Sequence, residues 1–97
     1  MNSKDEILDK LKELKPLLEK DYNVTEIGLF GSYIRNEQKP DSDIDILVNY
    51  KPDTSLFTLG GLQYMLSEIF GKKVDIIMKN SLKKRTGKHI LSEVVYV

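Results

Sequence analysis

The stretch Gly31 to Asp45, Gly-Ser-Tyr-Ile-Arg-Asn-Glu-Gln-Lys-Pro-Asp-Ser-Asp-Ile-Asp, gathers residue types that chemistry on phosphates requires. Asp43 and Asp45 stand two apart on an expected strand, so their side chains share one face, about 6.6 Å apart along the backbone. Carboxylates that close repel and raise each other's pKa, so the pairing implies a cation or a protonated partner. The ligands are hard oxygens, which favours magnesium or manganese. Asp75 interrupts the apolar run Val74-Asp75-Ile76-Ile77, where a lone buried carboxylate would be expensive. If its strand lies beside the strand of Asp43 and Asp45, the three form a triad able to hold two metals about 3.5 to 4 Å apart. Gly31 and Ser32 offer backbone N–H groups and a hydroxyl to a phosphate. On its own that pair reads as a strand-ending turn with a Ser cap; its place between a strand and a carboxylate pair is what gives it chemical weight.

Other motifs fall away. Asp41-Ser42-Asp43-Ile44-Asp45 resembles the start of a calcium loop, but Ile46 stands where that loop needs Gly and Pro52 where it needs Glu. Neither a P-loop pattern nor a G-x-G-x-x-G turn occurs. With no cysteine there are no disulfides, thiolate nucleophiles or thiolate zinc sites. The lone His89 reads as a surface or helix-end residue rather than a ligand. Arg35 is divided evenly between neutralising a phosphate and pairing with Glu37 or Asp41.

The elements that must position these groups follow from periodicity. Ser3-Lys4-Asp5-Glu6 has the form of a capping box, and Ile7, Leu8, Leu11, Leu14 and Leu18 follow at helical spacing. Pro16 should kink that helix or restart it as a short second segment ending near Tyr22. Val24 to Phe30 and Asp43 to Tyr50 read as strands, with at most a helical turn over residues 33 to 37 and a loop between them. Thr54 or Ser55 should cap a helix with Leu56, Leu59, Leu62, Met65, Leu66, Ile69 and Phe70 on its apolar face, ended by Gly71. Lys73 to Met78 is the third strand, and Asn80 or Ser81 should cap a last helix reaching about Glu93. Residues 94 to 97 fit either a helix end or a short strand. The expected fold is α/β in the order αββαβα, a small mixed sheet with a parallel βαβ pair and helices packed on it.

Ninety-seven residues make one domain, expected to span residues 1 to 97, and 40% hydrophobic with 31% charged residues suits a folded globular chain. The N-terminus lacks a signal-type apolar core and no run approaches a membrane span, so the expected location is cytoplasmic. Net charge is zero, yet residues 79 to 97 carry five Lys or Arg against Glu93 alone, while residues 24 to 78 carry five against eight Asp or Glu. A solvated helix face is the plainer account of the basic tail. Without interleaved aromatics it gives little support to nucleic-acid binding.

Gly31-Ser32, ten residues, Asp43-Ile44-Asp45, then Arg35 within the gap and Asp75 in the next strand together form a specific pattern. It resembles the minimal nucleotidyltransferases of the DNA polymerase β-like superfamily over nearly the whole chain. The resemblance implies magnesium-dependent transfer of AMP from ATP to a hydroxyl acceptor, with Asp43, Asp45 and Asp75 as the catalytic carboxylates and metal ligands and with Asp75 helping to activate the hydroxyl. It implies that Gly31 and Ser32 hold the β- and γ-phosphates, with Arg35 beside them. Asn36 stands where many relatives carry Gly, and Asn tolerates the left-handed conformation. The implied role is the antitoxin half of a two-gene system whose partner is a HEPN-type toxin adenylylated on tyrosine. Arg85-Thr86-Gly87-Lys88-His89 does not match the toxin's own Arg and His pair in spacing. Two alternatives stand beside this role: a small-molecule nucleotidyltransferase completed by a partner subunit, and a non-catalytic module that binds nucleotide or blocks a partner. Homo-oligomerisation stays open.

Overall fold

A computed structural model describes residues 3 to 97, with Thr86 described by its backbone only. Helix α1 (Lys4–Tyr22) opens on the expected capping box: Ser3 Oγ accepts from Glu6 N–H, and Glu6 Oε1 accepts from Ser3 N–H. Of the two courses expected at Pro16, the restart does not occur: one helix runs through the proline. Leu11 and Leu18 on either side of Pro16 are fully buried, and each such side chain is worth about 1.5 to 3 kcal/mol. Together they offset the roughly 3 kcal/mol that an interior proline costs. Asn23 then closes the helix in the left-handed conformation, its N–H bonded to the Leu18 carbonyl.

Strands β1 (Val24–Phe30) and β2 (Ile44–Tyr50) pair antiparallel. Helix α2 (Leu56–Phe70), capped by the Ser55 hydroxyl and ended by left-handed Gly71, crosses over to strand β3 (Val74–Met78), which pairs parallel to β2. A 3-10 turn (Lys79–Ser81), helix α3 (Lys84–Glu93) and the two-residue strand β4 (Val95–Tyr96) complete the described chain. The last helix therefore starts later than expected, and its N-cap, Lys83, makes no side-chain capping bond. The C-terminal ambiguity resolves as a strand: β4 pairs with β1, giving the order β3-β2-β1-β4. Gly28 makes this edge possible, since a Cβ there would lie 2.7 Å from Val94 Cγ2 and 2.8 Å from the Val95 carbonyl oxygen.

Alternation along the strands divides the sheet into two unlike faces. Ile44, Ile46, Val48 and Val74 pack with Ile7, Leu11 and Leu18 of α1 and Leu62, Leu66 and Phe70 of α2 in one large core. Phe30 and Leu47 point the other way and meet Ile90 of α3 in a smaller cluster. Helix α2 buries less than its apolar spacing promises, because Leu56 is 78% and Ile69 38% exposed. The sheet is only four strands wide, so it covers one narrow stripe of that helix. Among the described residues, no helix is long and apolar enough to cross a membrane.

Candidate active site

Asp45 shares strand parity with Leu47, and Asp75 with Ile77, so both carboxylates project on the smaller-cluster face. The parallel register sets Asp45 directly opposite Asp75, which establishes the strand adjacency that the triad required. Asp43 lies one residue before β2 rather than on it, and Ile44 N–H already bonds to the Lys73 carbonyl at 3.0 Å. Neither Asp43 nor Asp75 is buried: their side chains are 37% and 39% exposed, and Lys73 Nζ stands 3.8 Å from Asp43 Oδ2 and 3.6 Å from Asp75 Oδ1. The cost expected of a buried lone carboxylate at Asp75 is therefore avoided by solvent and an ammonium group.

Asp45 is the most perturbed of the group. Burial first, then the negative charges of Asp75 and Asp43, push its carboxyl up to about 6, with Arg35 opposing and Glu93 adding to the rise. Among the described residues, no three acidic or histidine side chains are drawn into a closed ligand set. Mutual repulsion accounts for this: carboxylates converge on one point when a cation or a shared proton relieves their charge. An all-oxygen donor set with an ammonium already lodged between two of its members fits a hard divalent cation.

The cradle begins where β1 stops. Gly31 adopts φ +81°, and a Cβ there would collide with the Asp45 carboxylate. Its carbonyl accepts from Ile34 N–H at 3.1 Å and Arg35 N–H at 3.2 Å, closing a helical turn over residues 32 to 36. Asn36 ends that turn at φ 57°, the left-handed conformation expected of it. The N–H groups of Ser32 and Tyr33 make no hydrogen bond among the described residues, as for the first donors of any helical turn. The following loop is tied down by Lys72, whose ammonium donates to the Tyr33 hydroxyl and the Pro40 carbonyl, each at 2.9 Å.

Two members of this constellation escaped sequence reasoning. Glu93, at the end of α3, accepts from Gly31 N–H at 2.9 Å through Oε2 and from Arg35 Nη1 at 2.5 Å through Oε1. Burial pushes its carboxyl up, but the Arg35 guanidinium and the Gly31 N–H outweigh that and hold it below the usual carboxylate range. Lys73 is the other. The available signal for Glu93 was its isolation as the single acid in a basic tail; Lys73 carried none beyond its place two residues before Asp75. Arg35 is ion-paired with Glu37 Oε1 at 2.7 Å and with Glu93 rather than Asp41. His89 is exposed on α3, as are Lys83, Lys84, Arg85 and Lys88, which supports the solvated-face account of the tail.

A four-stranded mixed sheet carrying strand-end carboxylates beside a Gly-Ser turn is the architecture of a nucleotidyltransferase. A family model described as "Nucleotidyltransferase domain" matches residues 4–97, and the chain belongs to that family as a nucleotidyltransferase. Protein adenylyltransferase MntA of Thermococcus cleftensis is 45% identical over 93 residues, covering 96% of this chain and 94% of the relative. The fold is similar to a solved structure described provisionally as a minimal nucleotidyltransferase, with TM-score 0.84, 24% identity and coverage of 97% of this chain and 95% of that one. It is also similar to a chain from the structure of a tri-AMPylated Shewanella oneidensis HEPN toxin in complex with an MNT antitoxin, with TM-score 0.60, 20% identity and coverage of 96% and 66%.

Proposed function

We propose that the chain transfers AMP from ATP to a tyrosine hydroxyl of a HEPN-type toxin, acting as the antitoxin of the pair. The observation that carries this reading is the register of Asp45 against Asp75, with Asp43 two residues before Asp45 and the Gly31-Ser32 turn adjoining them. The similarity to MntA supports protein as the acceptor, and the AMPylated toxin complex supports the partner class and the adenylyl group.

In the transfer, the acceptor oxygen bonds to the α-phosphorus, the bond from that phosphorus to the bridging oxygen of the β-phosphate breaks, and pyrophosphate leaves. The hydroxyl proton passes to a carboxylate, for which Asp75 on the outermost strand is the assigned group. Asp43 and Asp45 would hold a divalent cation such as magnesium, which would supply positive charge for such a displacement. Gly31 N–H is committed to Glu93, so the phosphate donors assigned here are Ser32 Oγ and the N–H groups of Ser32 and Tyr33. Gly31 itself serves by leaving room for Asp45, and Arg35 by its charge beside the turn.

The test is transfer of radiolabel from α-labelled ATP, with magnesium, to the product of the adjacent gene. Label on a partner tyrosine, lost in the chain carrying both Asp43→Asn and Asp45→Asn, is the expected result. No label from the unaltered chain, together with undiminished neutralisation of the toxin by that double variant, would replace catalysis with simple blocking.

A further inference from the structure

Glu93 reaches back across 62 residues to the turn that follows β1. It sits on the last residue of α3, and its side chain is only 11% exposed. One carboxylate oxygen takes Gly31 N–H and the other takes Arg35, so a single side chain holds both ends of the turn from Gly31 to Arg35. Between those ends lie Ser32 and Tyr33, whose N–H groups are unbonded among the described residues. On its second side Gly31 packs against the Asp45 carboxylate so closely that no Cβ fits. The position of Gly31 thus sets the spacing between the turn and the carboxylates, and Glu93 sets the position of Gly31.

We infer that Glu93 is the positioning residue of the phosphate-binding turn: its bidentate hold on Gly31 N–H and Arg35 keeps Gly31 against the Asp45 carboxylate and the free N–H groups of Ser32 and Tyr33 next to it, ready for the triphosphate. This rests on the adenylyl-transfer reading given above. Glu93 touches no reacting atom in this scheme; it acts through the turn. A conformationally free glycine without that anchor would leave the cradle to be ordered on each binding event, and the ordering would be charged against nucleotide affinity. The bonded carboxylate also satisfies the first donor of the turn and fixes Arg35 beside it.

Steady-state transfer at varied ATP by the full chain with its partner separates this role from a merely structural one. Glu93→Ala removes both hydrogen bonds and should raise KM for ATP about tenfold with kcat changed less than about threefold. Glu93→Gln keeps an acceptor for Gly31 N–H but offers Arg35 only an amide donor, so it should fall between the alanine variant and the unaltered chain, with KM raised about threefold. Should the alanine variant not fold, Glu93→Asp keeps the charge but is one methylene short of spanning both partners, and should still raise KM about fivefold. A fall in thermal midpoint with KM for ATP unchanged would reduce Glu93 to a tie between α3 and β1. A lower KM would make it an obstruction to the triphosphate, and either result overturns the inference while transfer by the unaltered chain stands. Absence of transfer by the unaltered chain would instead overturn the adenylyl-transfer reading, and this inference with it.

Discussion

The two faces of the sheet are built to opposite ends. On one, α1 and α2 close an apolar core whose strand residues Ile27, Leu29, Ile44, Ile46, Val48 and Val74 are at most 2% exposed. On the other, a ten-residue α3 covers only part of the sheet, and carboxylates from β2 and β3 project beside Phe30 and Leu47. Residues adjacent in sequence, Ile44 and Asp45, serve these opposite purposes because strand parity sends them to opposite sides. The difference teaches that stability and chemistry are separated by one residue of register rather than by distance along the chain. A face crowded with like charge is tolerated because the face behind it carries the fold.

That division makes definite predictions. Replacing Asp45 by Asn should reduce adenylyl transfer by about 10³-fold or more, since the metal-holding role proposed for it would account for several kcal/mol of charge stabilisation. The same change should leave the metal-free thermal midpoint at neutral pH unchanged or raised, because it removes a repelled, half-buried charge. Label-transfer rates and thermal melts on one preparation test both halves, and a large fall in midpoint would erase the separation. On the other face, Leu62→Ala should cost about 3 kcal/mol in denaturant unfolding, as a fully buried leucine leaves a cavity.

A pH series sharpens the contrast. The Asp45 carboxyl titrates at about 6, above its ordinary 3.8. A raised carboxyl favours the folded state while protonated, so its contribution is complete below about pH 4 and is lost as pH rises through about 6. The midpoint of Asp45→Asn minus that of the unaltered chain should therefore grow between about pH 4 and pH 7, and manganese should stabilise the unaltered chain more at pH 7 than at pH 5. A difference that stays flat with pH would place Asp45 in a more solvated environment. The smallest effect is on the outer surface of α2: Gly60, with nothing within 4 Å of an added Cβ, should gain about 0.5 to 1 kcal/mol on replacement by Ala, read from the denaturant midpoint.

Much of this was legible without coordinates, and the reasons are local. The spacing of Asp43, Asp45, Gly31 and Ser32 is encoded within fifteen residues, and the strand bounds of β1 follow from composition and a terminating glycine. Side-chain periodicity also separates the carboxylates from the core. The rest is decided by tertiary packing: the helix does not restart at Pro16 because buried leucines flank it, and Leu56 and Ile69 lie exposed beyond the stripe that the sheet covers.

The amino-acid sequence by itself determined which residue types stand close enough to do chemistry on phosphates and that Asp45 projects away from its neighbours Ile44 and Ile46, because both depend on short-range spacing and a two-residue repeat. Only the tertiary structure decided that Asp75 stands opposite Asp45, that Lys73 lies between Asp43 and Asp75, and that Glu93 grips the turn at Gly31. Those contacts join segments tens of residues apart, and no local preference specifies them. They exist because burying the large core brings β3 alongside β2 and returns β4 to the edge of β1, carrying the end of α3 to the turn where the carboxylates begin.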